Sequence, residues 1–186
     1  MMLTDLLVIM NYLQKKINAS IANIEHNVLG TVREINPGKR FEKNFRDSLP
    51  GVIRLYDTMG ETKNPGDFVY YVYPYDYIFE LKSVQDDRFD FNLLSDNQNE
   101  LLEYYDHIFG MTSVVCVEFR KYNKVYMIPY KVIKELNKTG KKSINYNEIE
   151  NYKTYEIPTE YKRINFTINV AEFHDILKKV SKGLWS

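Results

Sequence analysis

The sequence predicts a mixed α/β fold, in which helices flank a mixed central β-sheet and an N-terminal helical extension precedes it. Apolar residues recur with helical or strand periodicity in the order helix, three strands, helix, two strands. Hydrophobic residues make up 44% of the 186 positions, which is enough for one core. Length and pattern together indicate one α/β core with additions at both ends.

The first part of the chain contains two predicted helices. Apolar residues at helical spacing predict an amphipathic helix within residues 3–29, and a Pro-Gly pair then breaks the chain. A short helix follows over residues 38–48, where Phe41 and Phe45 share one face. The first helix is either a surface for a partner or a second copy, or it packs across the sheet of its own chain.

Predicted strands and further helices follow. Segments rich in β-branched and aromatic residues predict three strands, at residues 52–56, 68–73 and 77–81. Ser95 is a suitable N-cap for a helix that ends near Phe109. The remaining predicted elements are two strands at residues 112–119 and 125–128 and two helices at residues 130–137 and 170–180.

The predicted elements divide the chain into three parts. Residues 1–36 form the N-terminal helical extension, and residues 37–137 hold the α/β core. Residues 138–186 form a C-terminal extension with a final helix, and the pattern of residues 138–165 is basic, polar and irregular.

Composition and charge exclude several classes of protein. No run approaches the roughly 18 apolar residues that span a bilayer, and no basic region precedes the apolar start, so we expect a cytoplasmic protein. The single cysteine, Cys116, excludes an internal disulfide and a cysteine-based zinc site. The three histidines show no spacing that would suit a metal or a catalytic group.

The charge is zero overall but unevenly distributed. Twelve acids and three bases lie between Asp57 and Asp106, whereas eight bases and one acid lie between Phe119 and Lys142. This distribution fits a metal site among phosphate-binding surfaces, and solvated faces explain it equally well.

Three residues on the second and third predicted strands suggest a chemistry. The strand period of two places Glu80 and Lys82 on one face, and Asp67 lies near Glu80 if the two strands pair antiparallel. Two carboxylates can hold one or two Mg²⁺ ions for phosphodiester hydrolysis, and a lysine can stabilise the charge of the transition state. A Glu-x-Lys triplet alone is common on exposed strand faces, but Phe79 and Leu81 indicate an inner strand.

The wider pattern resembles the RecU-type Holliday junction resolvases, also called penicillin-binding-protein-related factor A, within the PD-(D/E)xK nuclease superfamily. The resemblance covers about residues 37–130. Its motifs are, in order, Gly38-Lys39-Arg40-Phe41-Glu42, Arg54, Asn64-Pro65-Gly66-Asp67-Phe68, Phe79-Glu80-Leu81-Lys82-Ser83, and then Phe91, Leu94, Gln98 and Leu101.

This resemblance implies a restriction-endonuclease-like core and a homodimeric, Mg²⁺-dependent endonuclease, with Mn²⁺ as a possible substitute, that nicks opposed strands of branched DNA. It implies that Asp67 and Glu80 are metal ligands, that Lys82 acts in the transition state and that Gln98 completes the metal site. Pro65 stands where the family usually has a threonine ligand, and a short connection replaces the family's long stalk between the first two strands.

Accessory residues have alternative interpretations. Glu42 could support a metal ligand without binding the metal, or it could pair with Arg46 on the helix surface. Gln98 could complete a capping box with Ser95 instead of reaching a metal. The candidate DNA-binding residues, which would contact backbone phosphates, are Lys39, Arg40, Arg54, Arg120, Lys121 and Lys124.

Two other functions remain open at this point. A nuclease of the same fold could cut DNA flaps, replication forks or duplexes. Alternatively, the protein could be a module that binds DNA without cutting it. The intact set of Asp67, Glu80 and Lys82 favours a nuclease over a binding module.

Overall fold

A six-stranded sheet is the centre of the computed structural model, which describes residues 36–56 and 64–185. The first of the chain's elements are α1 (Pro37–Ser48), β1 (Ile53–Arg54), β2 (Phe68–Val72), β3 (Tyr75–Val84), β4 (Arg88–Asp90), α2 (Asp96–Asp106) and β5 (Met111–Phe119). They are followed by β6 (Lys124–Pro129), α3 (Tyr130–Lys138), β7 (Ser143–Asn145), β8 (Tyr155–Glu156), β9 (Thr159–Lys162), β10 (Asn165–Ile168) and α4 (Val170–Trp185). The predicted helix within residues 3–29 lies outside the described residues.

The sheet is mixed, as predicted. Its strand order is β1-β2-β3-β5-β6-β8. The first three strands pair antiparallel, β5 pairs parallel to β3, and β6 pairs antiparallel to β5. Helix α2 makes the crossover that a parallel pair requires. The predicted mixed α/β order of helix, three strands, helix and two strands is confirmed.

Two apolar cores lie on the two faces of this sheet because the side chains of a strand alternate. One core joins α1, α4 and β10 to the sheet through residues that include Phe41, Phe45, Phe79, Phe166 and Phe173. The other joins α2, α3 and β7 to the opposite face through Ile78, Leu102, Val117, Ile133 and Ile144. Each fully buried side chain of this size stabilises the fold by about 1.5–3 kcal/mol.

The prediction that residues 138–165 are irregular was wrong. This segment contains β7, which pairs with β4, and β8, which extends the central sheet beside β6. It also contains β9, which pairs with β10 as a hairpin. These strands are only two to four residues long, which is too short for a sequence pattern to identify them, so their pairing partners define them.

The C-terminal part belongs to the same compact unit as residues 37–137. Phe166, Phe173 and Leu177 are buried in the first core. The division of the chain at residue 137 stays a prediction. No helix within residues 36–56 or 64–185 is long and apolar enough to cross a membrane.

Candidate active site

Asp67 is fixed to β3 by two backbone contacts. Its own N–H donates to the carbonyl of Phe79 at 2.8 Å, and the Leu81 N–H donates to Asp67 Oδ2 at 2.8 Å. Gly66 permits this approach, since a Cβ there would lie 2.7 Å from the Phe79 carbonyl oxygen. The turn before β2 therefore delivers the carboxylate to the strand that carries Glu80.

Glu80 and Lys82 lie side by side on the inner strand β3. Glu80 is only 3% exposed, and Lys82 Nζ lies 2.9 Å from Glu80 Oε1. Leu81, between them, points into the opposite core. The prediction that Glu80 and Lys82 share one face of the strand is confirmed. Because buried charges lose their hydration, the stability of this pair depends on its hydrogen bonds.

Gln98 touches both members of this pair from α2. Its Nε2 donates to Glu80 Oε1 at 2.6 Å, and its Oε1 accepts from Lys82 Nζ at 3.2 Å. The same Oε1 accepts from the Ser95 N–H at 3.0 Å in a capping box. The two alternatives for Gln98 thus coexist, because the capping position aims the amide at β3. Its role as a metal ligand stays a prediction.

The electrostatics of the site favour a bound cation. Burial, together with the charge of Glu80, raises the pKa of Asp67 to about 7, although the Leu81 N–H opposes this. Burial also raises the pKa of Glu80, against the effect of Lys82. The half-buried carboxylate of Asp67 and the buried one of Glu80 thus share the single ammonium group of Lys82. A divalent cation would neutralise the excess negative charge.

The donor set suits a hard cation that keeps water ligands. Asp67 and Glu80 supply two carboxylates, and beside them lies the amide oxygen of Gln98, which accepts hydrogen bonds from Lys82 and Ser95. In the part of the chain that the structure describes, no three His, Cys, Asp or Glu side chains group as a metal cage. Mg²⁺ commonly binds through one or two carboxylates and retains several waters, so these residues fit it.

Glu42 pairs with Arg54 rather than with Arg46. The Arg54 guanidinium donates to Glu42 Oε2, whereas Arg46 hydrogen-bonds to Asp47. The interpretation of Glu42 as a partner of Arg46 is therefore wrong. The negative charge of Glu42 contributes to the raised pKa of Asp67 and of Glu80, so Glu42 lies close to the site. Its supporting role stays a prediction.

The six candidate DNA-binding residues divide into two groups. Arg54, Lys121 and Lys124 are engaged in ion pairs, with Glu42, Asp87 and Glu156 respectively. Within the described residues, no acid forms an ion pair with the other three candidates, Lys39, Arg40 and Arg120. The second group is better placed for phosphates, because its charges are not already neutralised.

The sequence analysis missed Glu118. This β5 residue is 1% exposed, and its Oε2 accepts a hydrogen bond from Ser83 Oγ at 2.6 Å. Ser83 is the residue that follows Lys82 in β3, and it is paired with Glu118 in the sheet. A signal was present, because an acid between Val117 and Phe119 in an apolar strand requires a polar partner.

The structure brings together the acid and the acid-x-lysine on adjacent strands that the sequence analysis predicted for a nuclease. The family model of Recombination protein U (RecU) matches residues 11–172, so the chain belongs to the RecU family. The resemblance seen in the sequence was limited to about residues 37–130, and the family match extends beyond this range on both sides. Membership of this family implies a nuclease that acts on DNA.

Among solved structures, the chain is similar to Hjc, a Holliday junction resolvase from the archaeal hyperthermophile Archaeoglobus fulgidus. The identity is 21% and the TM-score 0.48, over 62% of this chain and 93% of that chain. No curated protein matches the sequence.

Proposed function

We propose that this chain is a metal-dependent Holliday junction resolvase, which nicks opposed strands of a four-way DNA junction. The observation that carries the proposal is a single lysine beside a buried acid pair. Lys82 Nζ lies 2.9 Å from Glu80 Oε1 and 3.2 Å from Gln98 Oε1, on the strand that also fixes Asp67. Membership of the RecU family supports DNA as the substrate.

Asp67 and Glu80 would hold Mg²⁺ or Mn²⁺, with Gln98 as a further ligand. When bound, the ion supplies polarisation of the phosphoryl oxygen and a more acidic water. The protein's own contribution is orientation, because the Leu81 N–H fixes one Asp67 oxygen and leaves the other available. Glu80 is held in the same way by Gln98 Nε2.

Lys82 would stabilise the negative charge that develops on the phosphate. Its side chain is 19% exposed, so the ammonium is partly shielded from water while it remains open to a substrate. A charge in such surroundings acts on a transition state more strongly than one in bulk water. Glu80 and Gln98 hold the ammonium before the substrate arrives, and this lowers the cost of reorganisation.

A homodimer would provide the two sites that paired nicks require. One chain offers a single set of Asp67, Glu80 and Lys82, whereas resolution of a four-way junction needs symmetric cuts in two strands. A two-fold dimer would present both sets to opposed strands.

A second candidate is a nuclease of the same fold that cuts flaps, forks or duplexes. It is favoured by the short connection between β1 and β2, which spans only residues 55–67 and leaves little room for a long stalk. A module that only binds DNA is disfavoured by the intact acid, acid and lysine set.

The test uses end-labelled four-way junction, flap and linear duplex DNA with wild-type protein, in Mg²⁺ or in chelator. We expect symmetric nicks in the junction, dependent on Mg²⁺ and lost in Glu80→Gln. Comparable cutting of all three DNAs would support the second candidate. No cutting of any DNA in Mg²⁺ or Mn²⁺ would overturn the proposal.

A further inference from the structure

The β9–β10 hairpin presents an exposed tip that the proposed chemistry does not use. Lys162 pairs with Asn165, and the two residues between them, Arg163 and Ile164, form the turn. Arg163 has a φ of 61°, and Ile164 is 61% exposed. The tip therefore carries two cations and one large apolar side chain directed into solvent.

The base of the hairpin is held firmly. Phe166 is buried, and its ring lies 5.8 Å from that of Phe41 and 5.3 Å from that of Tyr161. The Tyr161 hydroxyl donates to Glu118 Oε1 at 3.4 Å. Aromatic packing and this bond leave the base little freedom, so the tip has a defined position on the core.

The same contacts place the hairpin at the end of the sheet that holds Lys82, on the face opposite to the Glu80–Lys82 pair. Glu118 accepts from Tyr161 of the hairpin and from Ser83, the residue after Lys82. Ser83 and Glu118 are partners in the parallel register of β3 and β5. The tip begins one residue after Tyr161, which corresponds to about 3.4 Å of strand. It therefore lies at the strand ends that follow the active-site residues.

The charges of the tip are available for a ligand. Within the described residues, neither Lys162 nor Arg163 forms an ion pair. Arg40 of α1 lies near the base, since its charge acts on the pKa of Tyr161. By contrast, Lys121 and Lys124 are neutralised by Asp87 and Glu156. Within the described residues, the hairpin and its base thus carry three cations without an ion pair, Lys162, Arg163 and Arg40, beside one exposed acid, Glu160.

We infer that the hairpin is a DNA-binding prong, in which Lys162 and Arg163 bind backbone phosphates of branched DNA and Ile164 packs against bases at the branch point. Free cations gain affinity by releasing counterions from DNA, and exposed apolar side chains can insert where base stacking is weak. This inference rests on the proposed function, and it names a part of the chain that would take over the role of a stalk.

The test measures how the protein binds an immobile four-way junction that carries 2-aminopurine at the branch point, through the affinity and the fluorescence. Ca²⁺ replaces Mg²⁺ so that binding is measured without cleavage. The variants are Lys162→Gln/Arg163→Asn and Ile164→Ser. The matched control is Lys153→Gln/Lys179→Gln, two exposed lysines at the opposite end of the sheet, where Lys153 and Val180 line a cavity with Pro129. Thermal unfolding of each variant verifies the fold.

We expect the double variant of the tip to lose about tenfold in affinity, with the slope of log K against log[salt] reduced by about 1–2. We expect Ile164→Ser to bind within about threefold of wild type but to lose the rise in 2-aminopurine fluorescence. The control should match wild type in both respects.

If both tip variants match the control in junction affinity and in 2-aminopurine fluorescence, the inference is overturned. The proposed function would still stand in that case, provided that the wild type nicks the junction. A change in oligomeric state in the tip variants would instead assign the tip to contacts between copies, which also overturns it. Failure of the wild type to nick the junction would overturn the proposed function itself.

Discussion

Within the described residues, two Glu-x-Lys triplets lie on β-strands, and their surroundings differ completely. Glu80 and Lys82 of β3 form an ion pair at 2.9 Å, with Glu80 3% exposed. Glu160 and Lys162 of β9 are both exposed, and neither forms an ion pair within the described residues. The spacing is the same in both strands, so spacing alone does not make a site.

The difference comes from the position of each strand. β3 has neighbours on both sides, β2 and β5, and the first of them follows Asp67. Among the strands that the structure describes, β9 pairs with β10 alone. An inner strand buries its polar residues, and this burial raises the pKa of Glu80, although Lys82 and Gln98 oppose the rise. The Glu-x-Lys triplet of β3 is a candidate metal site because neighbouring strands bury it and because a second acid, Asp67, lies beside it.

The largest expected effect is on catalysis by Lys82. In Lys82→Met, single-turnover cleavage of a four-way junction should fall by about 10²–10³-fold, because the transition state loses its nearest positive charge. Junction affinity in Ca²⁺ should stay within about threefold of wild type. A cleavage rate equal to that of wild type would remove Lys82 from the mechanism.

The second prediction concerns the pH dependence of stability without metal. The folded state keeps a proton on Asp67 up to a pKa of about 7, whereas an unfolded chain releases it near the ordinary aspartate pKa of 3.8. The free energy of unfolding should therefore fall as pH rises from about 4 to 7. Asp67→Asn should remove much of this fall and stabilise the metal-free protein at pH 8 by about 2–3 kcal/mol.

Chemical denaturation at pH 5 and pH 8 in chelator measures this effect. Glu160→Gln, from the exposed triplet, is the control for the loss of one carboxylate. If Asp67→Asn is destabilised equally at both pH values, the carboxyl is not protonated in the folded state.

The third prediction concerns the close contact that delivers Asp67. Gly66→Ala would place its Cβ 2.7 Å from the Phe79 carbonyl oxygen and 3.0 Å from Ile78 Cγ2, so β2 and β3 must separate. We expect a loss of about 1–3 kcal/mol in unfolding free energy and a strong loss of cleavage. Wild-type activity in this variant would show that the position of Asp67 tolerates such a shift.

The smallest effect separates the two roles of Gln98. Glu148 holds a similar capping box with Asn145, away from β3. Gln98→Ala and Glu148→Ala should each cost about 1 kcal/mol of stability, but only Gln98→Ala should also reduce cleavage, by about tenfold. Equal cleavage by the two variants would limit Gln98 to helix capping.

Much of this site could be predicted from the sequence because its signals are local. Glu80 and Lys82 share a face through the period of a strand, and Phe79 and Leu81 identify the strand as buried. Asp67 required only the assumption that two successive strands pair, which short connections make common. The capping position of Gln98 was also a local signal, although its contact with Lys82 was not.

The rest could not be predicted because it depends on contacts between distant segments. Glu42 pairs with Arg54, twelve residues away, instead of with a residue one helical turn away. The β9–β10 hairpin reaches the sheet through Tyr161 and Glu118, which are 43 residues apart. β3 also extends to Val84, beyond the predicted strand, because β5 pairs with it.

The central claim is that the buried triplet of β3, and not the exposed one of β9, carries out metal-dependent cleavage. The most direct test compares single-turnover nicking of a labelled four-way junction in Mg²⁺ by wild type, Glu80→Gln and Glu160→Gln. We predict that Glu80→Gln loses nicking by at least about 10²-fold while Glu160→Gln keeps the wild-type rate. Wild-type nicking by Glu80→Gln would contradict the assignment of the site.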